Sequence, residues 1–145
     1  MIRLKSFELK KGVEIFNSFS DESRIRILHL LFMNEEMCIS DLELILDFTQ
    51  TKTSRHLIYL KNAGLVKFKK QDQWVYYYLN DAYYDIISQM FSYMEKDVFL
   101  MKDQAEFATL YSNNELAIRK LHNRQNKYKL PALQLERDRG KLTKQ

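Results

Sequence analysis

Seven side chains crowded between Gln50 and Tyr59 carry the most readable chemistry in this sequence: Gln50, Thr51, Lys52, Ser54, Arg55, His56 and Tyr59. If the segment is a helix, Thr53, Leu57 and Leu60 make one inward stripe and leave the other faces polar. Glutamine can pair with adenine, and arginine with guanine, through two hydrogen bonds each. Thr, Ser, Lys and Tyr can hold phosphate oxygens. The polar residues gather at the N-terminal end of the segment, the end that meets base edges when such a helix enters a groove. Taken alone, the same residues also describe a solvated helix face. Elsewhere the chain has no glycine-rich phosphate loop, no nucleophile motif and no metal-ligand spacing. With three Gly and three His in 145 residues, it is poor in the usual parts of an enzyme. No catalytic residue, metal or cofactor is assigned.

Such a helix needs a scaffold, and the flanking periodicities supply one. An amphipathic helix is expected over residues 5–18, with Phe7, Lys11, Ile15 and Phe19 near helical spacing and Leu9, Val13 and Phe16 widening the stripe. Ser20 offers an N-cap to a helix Glu22–Met33 whose first turn carries acid. Met37–Ile39 reads as an extended link. Ser40-Asp41-Leu42-Glu43 has the form of a capping box opening a short helix to Leu46. Thr49 or Thr51 caps the helix that ends near Ala63, and Gly64 supplies a left-handed stop. The period then changes to two, in 65–69 and again in 74–79, with Lys70-Gln71-Asp72-Gln73 as a hairpin loop. Asn80 or Asp81 caps a long final helix in which Tyr83, Ile87, Met90, Met94, Val98 and Met101 recur at threes and fours. Ser112-Asn113-Asn114 breaks that pattern. A further helix is expected from Glu115 to about Lys129, ended by Pro131, with a polar, disordered tail.

Helix, helix, short helix, helix, two-stranded hairpin, helix is the order of a winged helix-turn-helix: mostly α with a small β-hairpin wing (α+β), and a long C-terminal helical extension. Residues 1–111 are expected to form the domain and 112–145 a basic extension. Charge agrees with a polyanionic partner. Residues 50–80 contain Lys52, Arg55, Lys61, Lys67, Lys69 and Lys70 against Asp72 alone, and residues 115–145 hold nine Lys and Arg against three acids. Lys69, Lys70 and Gln73 join the helix residues as expected double-stranded DNA contacts. Arg119, Lys120, Arg124, Lys127 and Lys129 read either as a solvated face or as contacts to flanking phosphates. Leu116, Ile118 and Leu121 offer a second layer of dimer contacts as a third reading. No stretch approaches membrane-spanning length, the N-terminus lacks a cleavage pattern, and one cysteine forms no internal disulfide. Together these point to the cytoplasm.

Residues 16–80 resemble the ArsR family of bacterial regulators. The resemblance rests on Phe19-Ser20-Asp21, Arg24-Ile25-Arg26-Ile27-Leu28 and Cys38-Ile39-Ser40-Asp41-Leu42. It is most specific in Ser54, His56 and Leu57 followed by Leu60 and Ala63-Gly64-Leu65-Val66, and Trp74–Leu79 completes it. It implies a homodimer, joined through the first and last helices, that sits on operator DNA and represses transcription until an effector, which the sequence does not name, releases it. Phe7, Tyr83, Ile87, Met90, Met94 and Met101 are the expected dimer interface, since so long an apolar stripe needs a partner. Recognition helices about one DNA turn apart imply a partly palindromic operator. The competing reading is a winged-helix adaptor for proteins. The pattern places His56 on the recognition helix, where it either touches phosphate or packs the helix-turn-helix junction. The family's metalloid sensors carry Cys-Val-Cys-Asp-Leu where this chain has Cys38-Ile39-Ser40-Asp41-Leu42, so one of the two thiolates a soft metal wants is missing. Cys38 is expected to be a small buried residue.

Overall fold

The structure is a computed structural model that describes residues 6–126. Helix α1 (Leu9–Ser18) buries Ile15 and Ser18 and turns Leu9, Val13 and Phe16 outward, at 86%, 50% and 68% exposure. Helix α2 (Glu22–Asn34) is the central post, with Ile27, Leu28, Leu30 and Leu31 fully enclosed. Its cap is Asp21, whose Oδ1 accepts the Arg24 amide at 3.1 Å. The expected cap, Ser20, instead donates to the Asn17 carbonyl at the end of α1. Glu35, at φ +67°, stops α2.

Strand β1 (Glu36–Cys38) follows, then α3 (Ile39–Leu46), α4 (Gln50–Asn62), β2 (Val66–Gln71) and β3 (Trp74–Leu79). The expected two-stranded wing is a three-stranded antiparallel sheet in the order β1-β3-β2, because the supposed link pairs with β3, Met37 opposite Tyr77. That pairing also removes the capping box. Cys38 is held extended by Tyr76, so the chain turns straight from strand into helix, and Ser40 falls inside the first turn rather than before it. The hairpin is tighter than the pattern suggested. Gln71 pairs with Trp74, leaving only Asp72 and Gln73 to turn, with Asp72 at φ +56°. Gly64, at φ +84°, ends α4 as expected. Asn80 ties the base of the wing to it, donating to the Gly64 carbonyl at 2.8 Å and accepting the Ala82 amide.

The long final helix is two helices. A 3-10 turn (Asp81–Tyr83) leads into α5 (Tyr84–Ser92). The chain then breaks, and α6 (Val98–Ser112) restarts on an Asp97 cap, whose Oδ1 accepts the Leu100 amide at 3.0 Å. The break returns α6 onto α2. There Arg26 grips Asp103 through two hydrogen bonds of 2.9 Å, and Asn34 and Gln104 exchange amide hydrogen bonds at 2.7 and 2.8 Å. A last helix, α7, runs from 117 to residue 126, the limit of the described residues. Leu116, just before it, and Ile118 and Leu121 within it enter the same core as the winged part, so these side chains are spent inside the chain rather than on a second dimer layer. The expected end of that helix near Lys129, Pro131 and the tail all lie outside the described residues. Among the described residues no helix is long and apolar enough to cross a membrane.

Candidate nucleic-acid interface

Helix α4 is positioned from both ends. At its start the Thr49 hydroxyl accepts the Lys52 amide at 3.2 Å, and Thr53 Oγ1 donates back to the Thr49 carbonyl at 2.9 Å. Its inner face is Thr53, His56, Leu57 and Leu60, all buried. The remaining positions open outward, and Gln50, Thr51, Ser54, Arg55 and Ile58 line one shallow concavity of about 480 Å³. Hydrogen-bonding side chains of different lengths thus share a surface at the N-terminal half of the helix. Ile58, half exposed on that surface, was missed by polarity-based reading. Its place one turn beyond Ser54 and Arg55 was the available signal.

Three of the expected contacts sit differently. His56 is buried at the junction, 6% exposed, because its position falls on the Leu57–Leu60 side. Burial lowers its pKa; the Asp21 carboxylate opposes that shift, and Arg55, Arg24 and Lys52 reinforce it. Of the two readings, the ring packs the helix-turn-helix junction and does not lie on the outward face. Tyr59 lies at the edge of the face, its ring 4.0 Å beneath the Arg24 guanidinium. Lys52 stands with Nζ 4.1 Å over the Phe48 ring, at the corner between α3 and α4.

The wing adds Lys67, Lys69 and Lys70, all exposed on the outer strand β2, with Gln73 exposed in the turn. Lys61 Nζ reaches 5.1 Å from the Phe68 ring, which links the end of α4 to the same strand. The far side of the turn is occupied: Arg124 meets Asp72 at 3.4 Å and Gln125 donates to Gln71 at 3.2 Å. This attachment of α7 to the wing was not foreseen.

The expected dimer residues divide. Ile87 is fully enclosed in the chain's own core and Tyr83 nearly so. Met90 and Met94 are half-buried, whereas Phe7 and Met101 are exposed. Further apolar surface lies at Tyr93, Val98 and Phe99.

Cys38 does not fit a thiolate site. It is buried, and desolvation, aided by the nearby Asp41 and Glu36 carboxylates, pushes its thiol up to about 12. Ser40 stands where a second thiolate would be needed, and among the described residues no three His, Cys, Asp or Glu side chains are grouped to hold a metal ion. The resident donor set does not match the soft metals that the family's motif serves. Asp41, the next polar residue, is turned inward at 2% exposure. It accepts the amides of Ala117 at 2.7 Å and Ile118 at 2.8 Å. Burial raises its pKa against the pull of those two hydrogen bonds.

A buried helix-turn-helix junction, an outward polar face and a lysine-edged wing define a winged helix-turn-helix protein. The model of the bacterial regulatory protein family arsR matches residues 21–67. The arsenical resistance operon repressor of Bacillus subtilis is 36% identical over 56% of this chain and 77% of its own length. The chain belongs to the ArsR family, a family of regulators and not of enzymes. A cadmium resistance transcriptional regulatory protein CadC homolog from Staphylococcus aureus is 34% identical over 48% of this chain, which spans only 58% of that protein's length. For the fold, a homodimeric winged helix-turn-helix DNA-binding domain from Mycobacterium bovis superposes with a TM-score of 0.55 over 61% of this chain and 82% of its own, at 19% identity.

Proposed function

We propose that this protein is a transcriptional repressor that binds a partly palindromic operator as a homodimer. The observation that carries the reading is the outward face of α4. Gln50, Thr51, Ser54 and Arg55 share one surface, capped by Thr49 and flanked by Lys67, Lys69 and Lys70. Gln50 and Arg55 are the base readers, while Thr51, Ser54 and the wing lysines hold phosphates. Gln73 reaches the backbone beside the groove. Lys52 and Tyr59 serve at the margins, where Phe48 and Arg24 orient them.

The homodimer forms through α1 and the turn before α6. Leu9, Val13 and Phe16 present a stripe that nothing among the described residues covers, and Phe7, also exposed, lies against Gly12 of the same helix. The end of α1 adjoins the second apolar patch through Phe19, which shares a cavity of about 350 Å³ with Met94 and Phe99. Two α4 helices brought together this way would read half-sites about one helical turn apart, roughly 10 bp.

The test is titration against the duplex upstream of the protein's own gene, at several salt concentrations and with unrelated competitor DNA. Arg55→Ala is expected to cost about 1–3 kcal/mol of specific binding and to relax sequence preference at one position in each half-site. Lys69→Ala and Lys70→Ala are expected to weaken all DNA alike and each to flatten the salt dependence by about one unit of slope. Binding erased by competitor in the unaltered protein would refute the repressor reading.

A further inference from the structure

Helices α2, α5 and α6 line a second, open cavity of about 520 Å³. Phe32, Met33, Phe91 and Met101 form its apolar walls, and Ser88, Ser92, Glu95 and Gln104 its polar side. His29 forms part of the floor at 8% exposure. Its Nδ1 is wholly enclosed and has no hydrogen-bond partner. A buried polar atom left unpaired costs free energy, so a lone imidazole among phenyl rings calls for an explanation.

The ring's orientation supplies one. The Phe91 ring meets it edge-on, centroids 5.1 Å apart and planes at 69°, and fixes its plane. Nε2 also lacks a partner among the described residues, but unlike Nδ1 it is not sealed in, and the ring borders the cavity. Burial favours the neutral ring, against the pull of the Asp103 and Asp97 carboxylates. An unmade buried donor is rarer than an unmade acceptor. The proton therefore sits on Nε2, and Nδ1 keeps only a lone pair. The cavity then offers the His29 N–H between the Phe32 and Phe91 rings, apart from the polar side of Ser88, Ser92, Glu95 and Gln104, with a volume in the range of small-ligand sites. Glu95 disfavours anions.

We infer that this cavity binds a small uncharged organic effector, an aromatic or alicyclic body bearing one hydrogen-bond-accepting oxygen that takes the His29 Nε2 proton. The same helix α2 carries Arg24, stacked on Tyr59 of α4. A ligand wedged between α2 and the α5–α6 pair thus acts on the helix that seats the DNA-reading face. That regulatory consequence rests on the repressor reading, whereas the binding itself does not.

The experiment uses the full chain without DNA. Acetophenone and ethylbenzene, of nearly equal shape, are titrated while the His29 ring nitrogens and the Phe32 and Phe91 ring protons are followed by NMR. Acetophenone is expected to saturate at about millimolar concentration, as suits a fragment of its size, and to shift the His29 signals. Ethylbenzene, lacking the acceptor, is expected to bind about tenfold more weakly, the factor of one unmade hydrogen bond. His29→Phe should erase the difference between the two probes. Met33→Trp, a change at a half-exposed wall position outside the core, should block both. Equal affinity of the two probes for the unaltered protein, or acetophenone shifts confined to residues outside the cavity, would overturn the proposal. So would contacts between two copies of the chain across Met33 and Met101, because a partner would then be the occupant. None of these readouts depends on whether the protein binds DNA.

Discussion

From Ile27 to Leu79 the molecule is held by apolar side chains that interlock along regularly spaced positions. Leu28 and Leu31 of α2, Leu42 of α3, Leu57 and Leu60 of α4 and Met37 of β1 all vanish from the surface together. From Val98 onward the apolar share is smaller, Leu100 in α6 and Leu116, Ile118 and Leu121 around the start of α7. Helix α6 buries only Leu100 and Asp103, and a short series of polar clasps adds to the fastening of α6 and α7. Arg26 holds Asp103, Asn34 holds Gln104, Asp41 receives the start of α7, Glu36 meets His122 at 2.9 Å, and Asp72 meets Arg124. Apolar packing is diffuse and tolerates small changes by sharing the loss. A clasp concentrates its contribution in one pair, and removing one partner leaves the other unsatisfied. The winged part should therefore fail gradually under mutation, and the extension at discrete points.

The sharpest break is expected at Arg26. Its partner Asp103 is almost fully buried, so Arg26→Ala strands a carboxylate and should cost about 3 kcal/mol in chemical denaturation. Replacing both partners, Arg26→Met with Asp103→Leu, should recover most of that loss, since an apolar pair of similar volume incurs no desolvation. If the single and double variants are equally unstable, the clasp is not what fastens α6.

Asp41→Ala is the next largest. It leaves the amides of Ala117 and Ile118 without their acceptor and should cost about 2 kcal/mol, in the range of a lost helix cap. Hydrogen exchange should distinguish it from a core defect. Amides over residues 117–126 should lose protection, while those of α2 and α4 keep theirs.

Acid should expose the opposite side of the comparison. His29 and His56, both in the winged part, have pKa values lowered from 6.5 by burial. A base held neutral in the folded state takes up a proton more readily once unfolded. The corresponding stability is fully present above about pH 6.5 and is lost as pH falls through the depressed folded values. Thermal unfolding scans between pH 8 and 5 should show the winged part weakening below that point, and His29→Phe should blunt the decline.

How much of this was legible follows the same division. The winged part was read from periodicity, from Thr49 as a cap and from Gly64 as a stop, because each of those signals is local and the physics that makes them acts within a few residues. The reading failed where a partner distant in sequence intervened. Ser40 looked like a cap until β3 paired with Cys38, and Met37–Ile39 looked like a link for the same reason. The stripe through Met90, Met94 and Met101 suggested one long helix, since nothing local reveals that Asp103 has a mate at Arg26, 77 residues away. At the interface, the helical pattern placed Gln50 and Arg55 on the outward face, where the structure has them. For His56 it left two readings open, and the helical position beside Leu57 decided for packing at the junction.

The smallest expected effect is the most informative about the wing. Arg124 and Asp72 are both about half exposed, and an exposed pair of this kind contributes roughly 0.5 kcal/mol or less. Arg124→Ala should leave the denaturation midpoint nearly unchanged. Yet Asp72 is one of only two residues in the turn, and it holds a left-handed conformation that costs a non-glycine side chain about 1 kcal/mol. With Arg124 and Gln125 bracing it, the turn is held by the extension as well as by its own strands. Hydrogen exchange at the amides of residues 71–74 should therefore quicken in Arg124→Ala while the rest of β2 and β3 stays protected. Unchanged exchange there would mean that α7 only rests on the wing, and that Leu116, Ile118 and Leu121 in the core, with the clasps at Asp41 and Glu36, do the fastening.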